Sequence, residues 1–354
     1  MFIALMRDSS QRSKGVSSLE LPTVSVIIPV RNEENFIGKC IESFLDQAYP
    51  ENRFEIIVVD GMSEDNTRTI VKEYMSRYKN IRLYDNPDKY TPNALNIGIK
   101  NASGKIIMLA SSHAIYSRDY ISTCAQKIVE EKAEIVGGKM ITLPRNSSIK
   151  AKVIASVLSN PFGVGGAKYR IRCDKESYVD TVAYGLYKKE LFDKAGLFNE
   201  NLVRNQDIEM NLRLKRIGAR TLLVPQVSSY YYARDTFTSL WKNNFANGFW
   251  VIYSTKFAKV PFSFRHLIPL FFVLFLVLGC FLSMFSPILA KLYMVVLGLY
   301  MLLNVYFSLK ISFRLKNLLA FPLAFFTFLS LHVSYGIGSL MALIKLIFVR
   351  RSYQ

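Results

Sequence analysis

The chain has 354 residues, with 45 Lys and Arg against 27 Asp and Glu, a formal charge of +18 and 51% hydrophobic residues. That length supports a full core. The basic excess is scattered and comes with no zinc-ligand spacing or RNA-binding signature, which argues against a nucleic-acid binder and for attraction to anionic lipid headgroups. Cys40, Cys124, Cys173 and Cys280 lack paired or metal-type spacing and are expected to be reduced, mostly buried thiols.

Hydropathy divides the chain unequally. Residues 1–265 carry nearly all the charge, whereas 267–349 are dominated by Leu, Phe, Ile, Val, Met and Tyr. Boundaries are expected at 1–22 for an N-terminal extension, 23–235 for a catalytic domain, 236–265 for an interfacial helix and linker, 266–349 for a membrane region and 350–354 for a tail. Met1–Ser10 has only a short apolar run before Arg7 and Asp8, so no secretory signal is expected.

Val24–Val30 is an apolar run, and Asn32–Ala48 then sets Ile37, Cys40, Ile41, Phe44 and Leu45 on one helical face, which predicts strand then helix. The unit repeats with Phe54–Val59, a polar loop, and a helix striped by Val71, Tyr74, Met75 and Tyr78. A short strand near Ile81–Tyr84 leads to Thr91-Pro92, which reads as an N-cap with proline at the first helical position. Strands at Lys105–Ala110 and Ile135–Ile141 flank a helix marked by Ile121, Cys124, Ala125, Ile128 and Val129. Such alternation predicts an α/β domain with a mainly parallel sheet covered on both faces. Ligands of such sheets sit at the carboxyl ends of the strands, so the loops Val30–Glu34, Asp60–Thr67 and Ser111–His113 are expected to converge on one crevice. No strand is followed by GxGxxG or GxxxxGK[ST], which argues against a dinucleotide oxidoreductase or a P-loop enzyme.

Three apolar stretches follow: Leu267–Ile288, Leu292–Leu309 and Asn317–Ile344. Each is long enough to cross a hydrocarbon layer of about 30 Å. Alternatively, the third dips in and returns, since Pro322, Gly336 and Gly338 could break it and Ser330, His332, Ser334 and Tyr335 make it polar. Lys256, Lys259 and Arg265 before the first stretch, and Lys310, Arg314 and Lys316 before the third, place the soluble domain in the cytosol by the positive-inside rule. Lys345, Arg350 and Arg351 conflict with three full crossings.

Several segments in chain order resemble family 2 glycosyltransferases of the GT-A fold. These are Ser25-Val-Ile-Ile-Pro-Val-Arg-Asn-Glu-Glu, Val58-Val-Asp-Gly-Met-Ser-Glu-Asp-Asn-Thr and Asn205-Gln-Asp-Ile-Glu-Met-Asn-Leu-Arg-Leu. With Asn160–Arg170, Val179–Val182, Arg204–Asp207 and His332–Gly336, the chain looks most like the succinoglycan-type exopolysaccharide glucosyltransferases over about residues 23–340. The resemblance implies a nucleotide-sugar-binding, Rossmann-like GT-A domain followed by transmembrane helices in a multi-pass protein of the plasma membrane. It implies inverting transfer of a hexose from a nucleotide diphosphate sugar, expected to be a UDP-sugar, to a membrane lipid-linked saccharide in surface or extracellular glycan biosynthesis. Two alternatives stay open: transfer directly to a polyprenyl phosphate, and a catalytically silent membrane scaffold of the same fold.

By the same resemblance, Pro29, Asn32 and Glu33 shape the nucleotide pocket, Asp60 contacts the uridine, and Asp207 is the general base, with Gln206 standing at the family's glutamate position. One carboxylate that takes the acceptor's proton suffices for inversion, and Asp207 near a helix start is expected to be held anionic by the exposed amides there. The family's divalent metal, Mn2+ or Mg2+, is held by an Asp-x-Asp motif. Here that segment reads Ser111-Ser112-His113-Ala114 and offers His113 alone as a ligand, or as a donor to phosphate. Lys168, Arg170, Arg172 and Arg204 are alternative cations for a diphosphate or an acceptor. Asn160–Arg170 is glycine-rich and is expected either to close over the substrates or to form a plain turn. Trp241–Trp250 resembles the family's Gln-x-x-Arg-Trp region without its arginine, and its aromatics suit an interfacial helix.

Overall fold

The computed structural model describes residues 21–348 except 172, 260, 261 and 263. Arg172, Arg350 and Arg351 and nearly all of the expected N-terminal extension therefore lie outside the described residues. In chain order the domain runs β1 (Val24–Val30), α1 (Ile37–Leu45), β2 (Phe54–Asp60), α2 (Thr67–Arg77), β3 (Ile81–Asp85), α3 (Thr91–Asn101), β4 (Ile106–Leu109), β5 (Ala114–Tyr116), α4 (Tyr120–Val129) and β6 (Ile135–Leu143). It continues with α5 (Ile149–Val157), α6 (Pro161–Val164), β7 (Ser177–Tyr178), β8 (Leu186–Lys188), α7 (Glu190–Ala195), α8 (Gln206–Arg216) and β9 (Thr221–Tyr232). Four longer helices close the chain: α9 (Phe237–Tyr253), α10 (Ile268–Ser283), α11 (Pro287–Leu315) and α12 (Ala320–Phe348).

The strands form a single sheet in the order β3-β2-β1-β4-β8-β6-β9-β5, with β7 added on β9. Its first half is parallel, as the βα repeat dictates. The second half is mixed, because β8 runs antiparallel to β4 and β6, and β5 and β7 antiparallel to β9. The mainly parallel sheet expected from the sequence is thus corrected to a mixed one. β7 and β8 are only 2 and 3 residues long, too short to show a period of two. Alternation along β1 feeds two cores: Val26, Ile28 and Val30 pack with Ile37, Phe44 and Ile121 on one face, and Ile27 packs with Ala94, Leu95 and Ile99 on the other.

Among the described residues, three helices are long and apolar enough to cross a membrane: Phe264–Ser283, Pro287–Leu315 and Ala320–Phe348. The third is one unbroken helix, so the segment does not turn back on itself. Pro322 sits in its first turn, where a missing N–H costs nothing. Its glycines serve close packing: a Cβ on Gly336 would strike the Pro269 carbonyl and one on Gly338 the Phe245 carbonyl, while Gly248 of α9 lies equally tight against Tyr335. Ser339 Oγ donates to the Gly248 carbonyl at 2.9 Å. A third core of Val153, Ile154 and Val157 from α5, Leu240 from α9, Ile311 from α11 and Ala324 and Phe328 from α12 joins the apolar helices to the α/β domain.

Candidate functional site

The loops after β1 and β2 are stitched together by reciprocal hydrogen bonds. Asn32 N–H donates to Ser63 Oγ at 2.9 Å and Glu64 N–H donates back to Asn32 Oδ1 at 2.9 Å. Glu33 N–H donates to Thr67 Oγ1 at 2.8 Å. Asn32 makes its turn with φ of 53°, a conformation that asparagine tolerates better than most residues. Half-buried Pro29 lies beside Val59 in the β1–β2 register just below.

Asp60, at the end of β2, is 1% exposed and pairs in register with Asp85 at the end of β3. Arg68 Nη1 reaches both carboxylates, at 2.6 and 2.7 Å, and Ser63 donates to Asp60 from its N–H and its hydroxyl. Two acidic strand ends are thereby bridged by one guanidinium and held in a fixed orientation.

The segment after β4 joins this rim. His113 Nδ1 lies 3.3 Å from Glu33 Oε1, and Ser111 Oγ lies 3.4 Å from His113 Nε2. The expected convergence of the three loops is what the structure shows. Among the described residues, however, no group of three His, Cys, Asp or Glu side chains stands where it could hold a metal ion. His113 and Glu33 are already paired with each other, so the residues present do not form a family-type metal site.

From His113 a line of rings leads inward. Its imidazole lies 5.3 Å from the Tyr231 ring, and the Arg170 guanidinium carbon lies 5.9 Å from Tyr231 and 5.6 Å from Tyr169. Arg170 makes no ion pair among the described residues and borders a cavity of about 470 Å³ between the sheet and the apolar helices. Asp207, Asn205, Asn243, Asn244, Asn247 and Arg234 line its polar side, and Leu158, Leu240, Ile268, Pro269 and Leu331 its apolar side. Pro29, Asn32, Glu33, Asp60, Ser111 and His113 do not line it. The sequence-selected residues therefore fall into two neighbouring groups, joined through His113, Tyr231 and Arg170.

Asp207 occupies the first turn of α8. The turn before it is made by Asn205 with φ of 59°, and Asn205 Nδ2 donates to the Asn247 carbonyl of α9 at 3.0 Å, which fixes the helix start against the cavity. The Asp207 carboxyl opens on that cavity, where water still reaches it. Protein crowded around it nevertheless desolvates it. Burial pushes its pKa above the usual carboxylate range, against the pull of the Ile208 and Asp207 N–H groups and of Arg170. The helix-end amides do pull the group toward its anion, as expected, but desolvation sets the direction of the shift. Glu209, two residues on, is engaged elsewhere. Its carboxylate takes Arg213 at 2.8 and 2.9 Å, and Arg213 also donates to the carbonyls of Ala195 and Leu197.

The remaining selected residues are spread around the cavity. Lys168 borders a separate, shallower pocket with Lys215, Arg220 and Arg265. Gln206 is half-buried and does not line the main cavity. Arg204 lies behind the cavity wall and donates to Asn243 Oδ1 at 3.1 Å and Asn247 Oδ1 at 2.9 Å. The glycine-rich stretch forms the short helix α6 and a turn in which Gly165 has φ of 62°. Sequence reading missed Arg68, Tyr231, Arg234 and the α9 asparagines. In the sequence only the cluster Asn243-Asn244-Phe245-Ala246-Asn247 signalled the last, since three amides within one apolar helix need partners. α9 does carry an exposed tryptophan, Trp241, 38% exposed, as an interfacial helix would, but its asparagines face the cavity.

Comparison with known proteins places this geometry. Residues 25–196 match the profile of Glycosyl transferase family 2. A dolichyl N-acetyl-alpha-D-glucosaminyl phosphate 3-beta-D-2,3-diacetamido-2,3-dideoxy-beta-D-glucuronosyltransferase of Methanococcus voltae is 29% identical over 231 residues, covering 64% of this chain and 71% of the relative. The succinoglycan biosynthesis protein ExoA of Rhizobium meliloti is 26% identical over 237 residues, 66% of this chain and 71% of the relative. In fold, the chain is similar to the mannosyltransferase PcManGT of Pyrobaculum calidifontis, solved with GDP-Man and Mn2+, with a TM-score of 0.60 and 16% identity over 90% of this chain and 87% of that one.

Proposed function

Given that this chain is a family 2 glycosyltransferase with a GT-A-type domain and three apolar helices able to span a membrane, we propose that it moves a hexose from a nucleotide diphosphate sugar, a UDP-sugar, to a lipid-linked saccharide with inversion at the anomeric carbon. The observation that carries this reading is the position of Asp207. It is an acid without an ion-pair partner among the described residues, at a cavity walled on one side by Ile268, Pro269 and Leu331 of the apolar helices.

Donor and acceptor have separate places. The stitched loops around Asn32, Glu33 and Asp60 hold the nucleotide, with Asp60 accepting from the base or ribose and Ser111 and His113 beside the sugar and diphosphate. Arg170, between that rim and the cavity, supplies positive charge to the departing diphosphate. The acceptor enters from the helix side, and Asp207 takes the proton from its attacking hydroxyl as the bond to the nucleotide breaks on the opposite face. Crowding around Asp207 suits it to this task, since a base with a raised pKa is a stronger base.

Similarity to a transferase whose name specifies a dolichyl-phosphate-linked sugar, and to a succinoglycan biosynthesis protein, supports a lipid-linked acceptor in surface glycan assembly. We place the catalytic domain on the cytosolic face of the plasma membrane, as the flanking lysines and arginines favour.

The test is a transfer assay with the full chain in nanodiscs, a panel of labelled nucleotide sugars and lipid-linked mono- and oligosaccharides. The expected product is a labelled lipid-linked saccharide whose new bond has the anomeric configuration opposite to the donor's. Retention of configuration, or label found only on a bare polyprenyl phosphate, would overturn the reading.

A further inference from the structure

Arg204 and Arg234 converge on one amide oxygen. Their guanidiniums donate to Asn243 Oδ1 at 3.1 and 3.2 Å, and Arg204 donates also to Asn247 Oδ1 at 2.9 Å. Neither arginine has an acidic partner within ion-pair distance among the described residues, although two cations held this close repel each other. Burial, and after it the charge of Arg234, holds Arg204 below the usual guanidinium range. Two like charges gathered without a carboxylate are a site prepared for an anion.

The amides around them point the same way. With the Asn243 and Asn247 oxygens occupied by the arginines, their Nδ2 groups remain as donors. Asn244, 8% exposed, lines the same cavity, and its Nδ2 is buried with no partner among the described residues. A buried amide donor without a partner costs about 1–3 kcal/mol unless something accepts from it. The cluster thus contributes donors and positive charge, and the chemistry that fits it is a phosphate ester.

Resting on the transfer reading above, we propose that Arg234, Asn243, Asn244 and Asn247, with Arg204 orienting the Asn243 and Asn247 amides from behind, form the phosphate site that grips the lipid-phosphate end of the acceptor. The donor's diphosphate has the same chemistry, but placement favours the acceptor. Arg234 and the three asparagines lie on α9 and the segment entering it and line a cavity walled by Leu240, Ile268, Pro269 and Leu331, with Arg204 behind them just before α8, whereas the residues of the nucleotide rim do not line that cavity. A cavity of about 470 Å³ encloses a phosphate and a short saccharide rather than a long chain. The acceptor's phosphate would then set the distance at which one hydroxyl meets Asp207.

The experiment uses the full chain in nanodiscs with a short-chain polyprenyl phosphate and with UDP as separate binding probes, alongside acceptor and donor KM. Arg234→Gln, Arg204→Gln and Asn244→Leu are compared with wild type. The expected result is a loss of about tenfold or more in polyprenyl phosphate affinity and in acceptor KM for each, with UDP affinity within about twofold. Asn244→Leu separates ligand binding from folding. An amide kept for a ligand should leave thermal stability unchanged or higher when replaced, whereas a structural amide should lower it. A fall in UDP affinity with polyprenyl phosphate binding intact would assign the cluster to the donor and overturn the proposal. So would unchanged binding of both probes, or a loss of binding explained by lost stability. If wild type transfers no sugar to any lipid-linked saccharide yet binds polyprenyl phosphate through these arginines, the transfer reading fails and the site stands.

Discussion

His332 Nε2 lies 2.8 Å from the carbonyl oxygen of Phe162, a residue 170 positions earlier in the chain. Its other ring nitrogen is 3.1 Å from the Tyr300 hydroxyl of α11. One imidazole therefore joins the glycine-rich turn at the cavity mouth to two apolar helices, and the Phe162 ring packs beside it, 5.0 Å from the imidazole centroid. The stretch that borders the cavity is thus tied to the apolar helices through Phe162 and to β6 through the Tyr169 carbonyl, which accepts from Met140 N–H at 2.8 Å.

His332→Ala should release that loop. Each lost hydrogen bond is worth about 0.5–1.5 kcal/mol, so the acceptor KM should rise several-fold while UDP-sugar binding stays near wild type. Steady-state kinetics with varied acceptor, together with limited proteolysis across 160–170, would report it. An unchanged acceptor KM with an intact loop would show that the anchor plays no part in binding.

Asp60 and Asp85 share Arg68, which fixes the Asp60 carboxylate beside the loop proposed to hold the nucleotide. Asp60→Asn should weaken UDP binding about tenfold, the equivalent of about 1.4 kcal/mol, and leave polyprenyl phosphate binding unaltered. Arg68→Met should do the same by leaving two neighbouring carboxylates unneutralised. Calorimetric titration with UDP measures both variants.

Gly248 and Gly338 let α9 and α12 touch backbone to backbone. A valine at either position meets main-chain atoms that cannot yield, so Gly248→Val or Gly338→Val should cost about 1–3 kcal/mol or more of stability and displace α9, with its asparagines, from the cavity. Thermal unfolding in detergent would show a lower Tm, with transfer activity falling alongside it.

The raised pKa of Asp207 has consequences for pH. A base must be deprotonated to act, so kcat/KM should fall as pH drops through its folded-state value, which lies above the ordinary 3.8. In stability the sign is opposite. A carboxyl whose folded value exceeds its unfolded one favours folding most below the unfolded value and loses that contribution as pH rises through the folded one. At neutral pH the ionised, desolvated Asp207 is a cost, and Asp207→Asn should be as heat-stable as wild type or more so.

The βα repeats were legible because Val26, Ile28 and Val30 alternate with Ile27 and because helical stripes follow each strand. The mixed half of the sheet was not, since β7 and β8 carry too few residues to show a pattern. The apolar helices were visible as long uncharged runs, but the continuity of α12 was obscured by Gly336 and Gly338, which read as breakers in a sequence and are packing surfaces in the fold. Asp60 and Asp207 stood out through motif context. Arg234 and Asn244 did not, because their meeting with Arg204 depends on where α9 crosses the start of α8, a relation between distant segments that no local spacing encodes.

The most direct test of the account is single-turnover transfer by Asp207→Asn with saturating UDP-sugar and lipid-linked acceptor, with UDP affinity measured on the same preparation. The predicted result is a rate about 100- to 10,000-fold below wild type with UDP affinity and folding preserved. A rate within a few-fold of wild type would contradict the assignment of Asp207 as the base and, with it, the proposed route from acceptor hydroxyl to glycosidic bond.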